Sequence, residues 1–199
     1  MKYVNVKNFV KLSQEDIDNV EKLTGTTWSD IKRPDLERGL VLLSLCREFK
    51  AKRCLDIGTA GFFSAKCMAL SGAVIDTIDI KGEQPSQEGI YKNINFIKSD
   101  SKEIVPKLDY EYDVCFIDGD HSYETVRVDI RNCKKKCKVI VCHDFGNLAD
   151  VTRAINEEID VKEIIIEDRM WYGAPYENGI DKNGNIIDYG LVIWQRDDL

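Results

Sequence analysis

A series of short apolar runs, each ending in an acid, a glycine or a histidine, constrains this chain more than any other feature. Residues 53–57 read as a strand that leads into Asp56-Ile57-Gly58-Thr59-Ala60-Gly61, and residues 73–80 as a second that ends in Asp79. Residues 94–97 form a third, followed by Lys98-Ser99-Asp100-Ser101. The fourth starts at Asp113, runs Val114-Cys115-Phe116-Ile117, and delivers Asp118-Gly119-Asp120-His121-Ser122-Tyr123-Glu124. The fifth, residues 138–143, ends in His143-Asp144. Apolar runs of this length, bounded by turn signals, indicate buried strands. Helical patterns over 62–71, 102–108, 123–133 and 150–159 alternate with them. The alternation predicts an α/β fold with a mostly parallel sheet and helices on both faces. Two further runs, 164–166 and 191–195, are joined by a polar, Gly-rich segment with Asp181-Lys182-Asn183-Gly184-Asn185 as its turn. That pair predicts an antiparallel last strand closing a seven-stranded sheet.

Before the first strand, Ser13 caps a helical pattern through Ile17, Val20 and Leu23, with Asp16 three residues on and Gly25 as its stop. Trp28 and Pro34 mark a loop, and from Asp35 a strong helix carries Leu36, Leu40, Leu43 and Leu45. The expected division is a helical extension over 1–34 and a single domain over 35–199, in keeping with a length of 199 residues. A net charge of −7 argues against a broad nucleic-acid surface. Lys134-Lys135-Lys136 with Lys138 reads as a solvated helix end. No apolar run has the length of a signal-peptide core or a membrane span, so the expected location is cytoplasmic, with no membrane partner. Seven cysteines, mostly inside apolar runs, are expected to be reduced thiols packed as small hydrophobes. The spacing Cys133-x3-Cys137 is looser than the CxxC pairing usual at zinc.

In an open α/β sheet, ligands bind outside the carboxyl ends of the strands. Here those ends hold the informative residues. Gly58 and Gly61 allow a tight turn and close backbone approach. Asp79 follows Asp56 at close to the spacing, about 20 residues, at which an acid in such folds bonds a ribose hydroxyl. Asp100-Ser101 could bond an adenine amine. The loop is not G-x-G-x-x-G, which favours a nucleoside without a pyrophosphate. The only two histidines, His121 and His143, each sit beside an aspartate. If the fourth and fifth strands are parallel neighbours, their ends lie about 5 Å apart and the groups converge. Asp118, His143 and Asp144 are then plausible ligands of a divalent ion, and Asp120 or His121 a proton acceptor. The bland alternative has Asp118 bonding a cofactor amine and the imidazoles bonding each other or backbone.

The series Leu55-Asp56-Ile57-Gly58-Thr59-Ala60, Ile78-Asp79, Phe96-Ile97-Lys98-Ser99-Asp100-Ser101, Phe116 to Tyr123 and His143-Asp144-Phe145 resembles class I S-adenosylmethionine-dependent methyltransferases of Rossmann-like fold. More narrowly it is similar to methyltransferase family 24, which includes macrocin-type O-methyltransferases. The resemblance covers residues 36–196 and is most specific from Phe116 to Tyr123. It implies that Asp56, Gly58, Thr59, Ala60 and Gly61 form the loop passing the cofactor's methionine part. Asp79, with Ile80, would meet the ribose, Asp100 and Ser101 would frame the adenine, and Asp118 would lie near the methyl group. In metal-dependent sugar O-methyltransferases of this kind, the acid matching Asp118 is a metal ligand and that matching Asp120 the general base. An acidic pair completes the metal site; here it is His143-Asp144, which leaves the choice between magnesium and a softer ion open. The family usually has glycine where this chain has Phe62.

The expected activity is O-methylation of a small molecule or sugar hydroxyl. Competing readings are a nucleotide-sugar transferase using Asp118-Gly119-Asp120 as a D-x-D clamp, and a non-catalytic member of the fold. A homo-oligomer is compatible with the chain. The aromatic segment 170–189, with Trp171, Tyr172, Tyr176 and Tyr189, is expected to cover the acceptor or contact a partner copy.

Overall fold

Parallel strands need crossover connections, and this chain supplies a helical one between most of its successive strands. The computed structural model describes residues 2–24, 34–146, 148–161, 163–166 and 190–196. In order come β1 (Lys2–Asn5), α1 (Val6–Phe9), α2 (Gln14–Thr24), α3 (Pro34–Glu48), β2 (Arg53–Ile57) and α4 (Phe63–Ala69). Then follow β3 (Val74–Asp79), β4 (Ile94–Lys98), α5 (Ser101–Ile104), β5 (Tyr112–Ile117), α6 (Tyr123–Lys134), β6 (Cys137–Phe145), α7 (Ala149–Glu158), β7 (Glu163–Ile166) and β8 (Gly190–Gln195). The segment 170–189 and its aromatic residues lie outside the described residues.

The sheet order is β1-β7-β8-β6-β5-β2-β3-β4. From β2 the chain steps outward through β3 and β4, then returns to place β5 and β6 on the other side of β2. The order therefore reverses between β2 and β5, where ligands bind in such sheets. β8 runs antiparallel to both β6 and β7, as the sequence predicts. The sheet has eight strands rather than seven, because Lys2–Asn5 pairs in parallel with β7 at the far edge. So the N-terminal extension is not helical throughout. A four-residue edge strand is too short to display a period, and its partner lies near the other end of the chain.

β5 shows why the fold holds. Cys115 and Ile117 face α6 and α7, packing with Leu55, Ile140, Val126, Ile130 and Ile155. Val114 and Phe116 face the other way, onto Val41, Leu42, Leu45, Ala65 and Met68 of α3 and α4. Both faces are covered, so the strand is apolar without alternation. α3 is buried on two sides: Leu36, Leu40 and Leu43 turn outward and are covered by Val20 of α2. α5 ends early because Pro106 follows, and the chain continues as a 3-10 turn. All seven cysteines are free and buried. Cys115, Cys133 and Cys137 nevertheless meet, with sulfur atoms within 4.8 Å of one another, a grouping that sequence spacing conceals because Cys115 comes from another strand. Among the described residues, no helix is long and apolar enough to cross a membrane.

Leu55, fully buried on central strand β2, is a test of this core. Leu55→Ala should lower unfolding free energy by about 2–5 kcal/mol, read as a fall in the denaturant midpoint at unchanged slope.

Candidate active site

The ends of β2 and β5 meet at Gly58. Its φ is +96°, and a Cβ there would stand 2.1 Å from the Asp118 carbonyl oxygen. Gly58 N–H donates to Ile78 O, and Asp118 N–H to Ile57 O, each at 2.9 Å, which ties three strand ends together. Only glycine fits there. Gly61 faces no such demand, having open space around its Cβ position. The left-handed residues around it are Ala60 (φ +38°) and Phe62 (φ +62°). Phe62 thus keeps a backbone suited to the glycine its family usually has. Its ring packs edge-on against Tyr91 and Phe96, at centroid distances of 6.1 and 5.8 Å. Two such aromatic contacts, about 0.5–1.5 kcal/mol each, offset a left-handed penalty of about 1–2 kcal/mol.

The loop is held from below. Thr77 Oγ1 donates to Asp56 Oδ2 at 2.6 Å, and Thr59 Oγ1 lies 2.6 Å from Thr77 Oγ1. Burial pushes the Asp56 carboxyl up to about 7, against the opposing hydrogen bonds from Thr77 and Ser64. Above the loop, Asp79 Oδ2 accepts from Thr59 N (3.1 Å) and Ala60 N (3.3 Å), and Oδ1 from Lys81 N (2.9 Å).

Beside this loop lies a cleft of about 420 Å³, within the usual range for small-molecule sites. Of the residues that sequence analysis assigns to a cofactor, Gly58, Ala60, Asp79, Ile80, Asp100, Ser101 and Asp118 line it. Asp56 and Thr59 are buried beneath it and act as supports. Asp100 also caps α5, accepting from Lys102 N at 2.9 Å. Lys81, Lys102, Gly119 and Thr125 line the cleft as well and were not foreseen.

At one end of the cleft stands the two-histidine cluster. β5 and β6 are parallel neighbours with Ile117 opposite Cys142, so Asp118 faces His143 across the next rung. His143 Nδ1 lies 3.1 Å from Asp118 Oδ1 and 3.1 Å from Asp144 Oδ2. Asp144 has φ +57°, which turns it back toward its neighbour. His121 Nε2 joins at 3.3 Å from Asp144 Oδ2 and 3.7 Å from Asp118 Oδ1. Asp118, His143 and Asp144 offer three ligand atoms within 4.8 Å of one another, the trio that sequence analysis selected. Burial works to raise the Asp118 carboxyl, but His121, His143 and Arg38 together hold it well below the usual carboxylate range. Asp118 in turn raises His121.

Asp120 does not join the cluster's hydrogen bonds. Its carboxylate accepts from Ser122 N (3.2 Å) and Ser122 Oγ (2.7 Å), and these bonds lower its pKa. The residue that sequence reasoning missed is Arg38. From α3 its Nη1 reaches Asp118 Oδ2 at 3.1 Å and stands 3.3 Å from His143 Nε2. Its guanidinium lies over the rings of Phe63 and Phe116. The available signal was a charged pair, Glu37-Arg38, set between Leu36 and the apolar run Leu40-Val41-Leu42-Leu43.

These elements are shared with known proteins. A family described as a methyltransferase domain matches residues 38–145, from Arg38 to the end of β6 and more than half of the chain. The chain belongs to that family. It is an S-adenosylmethionine-dependent methyltransferase of the class I, Rossmann-like fold. Among solved structures, the O-methyltransferase TomG from Streptomyces achromogenes, involved in tomaymycin synthesis and crystallised with SAM, is 15% identical. The match covers 94% of this chain and 91% of that one, with a TM-score of 0.56. The O-methyltransferase from Bacillus cereus, crystallised with SAH, is 16% identical, with 94% and 93% covered and a TM-score of 0.52. At such identities the likeness is one of fold. No curated protein matches the chain.

Two outcomes test the loop. Phe62→Gly should be less destabilising than Phe62→Ala, the reverse of the usual order, because glycine relieves the left-handed strain while both lose the ring contacts; thermal melts of the two variants decide. A native Asp56 raised to about 7 favours the protonated form, whereas an unfolded aspartate titrates near 3.9. Its stabilising contribution is therefore complete below about pH 4 and lost as pH rises through 7. Asp56→Asn should gain on the wild type in melting temperature between pH 4 and 8, and a difference independent of pH would contradict the assignment.

Proposed function

We propose that the enzyme transfers the methyl group of S-adenosylmethionine to a hydroxyl oxygen of a small molecule or sugar. The observation that carries this reading is the double membership of Asp118, which lines the cofactor-sized cleft and belongs to the histidine–aspartate cluster. In this reading Asp79 accepts hydrogen bonds from the ribose hydroxyls with the lone pairs its loop contacts leave over. Ile80, 63% exposed, offers an apolar surface to the nucleoside. Asp100 and Ser101 flank the base.

The acceptor hydroxyl then sits where cleft and cluster join. As its oxygen forms a bond to the methyl carbon, the carbon–sulfur bond breaks and the electron pair stays on sulfur. The hydroxyl proton goes to the imidazole of His121 at Nδ1, because Nε2 faces the carboxylates of Asp118 and Asp144 and carries its own proton. The two carboxylates stabilise the imidazolium that results. Of the two proton acceptors expected from sequence, His121 is favoured by this placement. Asp120, tied to Ser122, shapes the turn between β5 and α6. A D-x-D clamp is not favoured, because Asp118 and Asp120 direct their carboxylates to different partners.

The cluster's donor set fits a divalent ion: Asp118, His143 and Asp144 would hold it, and one nitrogen with two carboxylates suits a transition ion better than magnesium. Such an ion would lower the pKa of the acceptor hydroxyl and orient it. A net charge of −7 supports a small acceptor over a polyanion.

Calorimetry with S-adenosylmethionine and its demethylated product should show binding, with a dissociation constant on the order of micromolar. Asp79→Ala should weaken it at least about tenfold, the loss of a hydrogen bond to a charged group. No heat with either compound would refute the reading. With an acceptor in hand, His121→Ala should lower kcat by about 10²–10⁴, more than Asp120→Asn does.

A further inference from the structure

An arginine guanidinium only donates hydrogen bonds. Arg38 Nη1 stands 3.3 Å from His143 Nε2, so that nitrogen must present its lone pair and cannot carry a proton. The imidazole proton then sits on Nδ1. There it faces Asp118 Oδ1 and Asp144 Oδ2, each at 3.1 Å, two acceptors that suit a donor. The three contacts agree on one tautomer. It is the opposite of the one a metal needs, since a histidine ligating through Nδ1 carries its proton on Nε2 and donates it outward.

We propose that Arg38 is a positioning residue that holds His143 as the Nδ1–H tautomer. It thereby makes metal binding at Asp118, His143 and Asp144 conditional on its own withdrawal. This rests on reading the cluster as the reacting end of the methyltransferase site. Two cations contend for the same residues. In the Arg38-engaged state the guanidinium neutralises Asp118 from the Oδ2 side while the Nδ1 proton fills the space between the carboxylates. In the metal-bound state His143 flips tautomer, Nε2–H points at Arg38, and the guanidinium has to leave. Because α3 also carries Leu36, Leu40 and Leu43 against Val20 of α2, the position of Arg38 depends on how this helix pair is seated.

The chain has only two histidines, which makes the tautomer directly observable. In protein labelled with ¹⁵N-histidine, at mildly alkaline pH and with metal chelated, a long-range ¹H–¹⁵N spectrum should show two ring patterns. His121→Gln assigns the one that remains. His143 should show a protonated-type Nδ1 and an unprotonated-type Nε2. Arg38→Met should shift it toward Nε2–H and tighten Mn²⁺ binding, followed by electron paramagnetic resonance, by at least about tenfold; Arg38→Lys should restore much of the wild-type pattern. An Nε2–H tautomer in the wild type overturns the proposal, and so does a tautomer or Mn²⁺ affinity unchanged in Arg38→Met. Should Arg38→Met not fold, the wild-type and Arg38→Lys spectra still decide. Calorimetry with S-adenosylmethionine on the same samples separates the two ideas: normal cofactor binding with the wrong tautomer removes only the role of Arg38.

Discussion

The placement of β5 between β2 and β6 is the constraint on which the molecule depends. Its register with β2 brings the Asp118 backbone so close to Gly58 that no side chain fits. Its register with β6 puts Asp118 across from His143. One strand thus sets both the floor of the cleft and the position of the candidate site. The hydrogen bonds at this corner, Asp118 N–H to Ile57 O joining β5 to β2 and Gly58 N–H to Ile78 O joining β2 to β3, are backbone bonds in a dry sheet. They are insensitive to side-chain identity and stronger for being shielded from water. The alternation Val114/Phe116 against Cys115/Ile117 then locks the strand between two helical layers.

The cluster at the end of that strand is a closed set of charges. Two carboxylates, Asp118 and Asp144, are met by Arg38 from α3 and by His121 from the turn after β5, with His143 between them. Groups this well matched keep a partly buried site from carrying uncompensated charge, which would otherwise be costly. The same matching means that anything entering the cluster exchanges with a group already there.

The fold was largely legible from sequence because its signals are local. Each strand of the parallel core is an apolar run bounded by turn residues, and most crossovers, though not the one from β3 to β4, show a helical period. Boundaries matched within one or two residues for β2, β4, β6, α6 and α7. The edge strand β1 escaped because four residues carry no period and its pairing is long-range. The candidate site was legible for a different reason: Asp79, Asp118, His143 and Asp144 each sit at a strand end, so a correct strand list places them on one side of the sheet. Phe62 marked a departure from its family that only the backbone explains, since the left-handed turn is kept and aromatic packing compensates.

By itself the sequence determined the parallel sheet and the order in which acids and glycines arrive at its carboxyl edge; the cofactor came from resemblance to a family. The sheet and that order follow from periodicities of two and 3.6 and from residue type, which are properties of neighbours along the chain. Only the tertiary structure decided that Arg38 reaches Asp118 and His143, that Asp120 turns away to Ser122, and that three cysteines from separate elements meet. Each of these is a contact between residues far apart in sequence or a choice of side-chain partner. Such contacts are set by how helices pack on the finished sheet, and no local pattern encodes them.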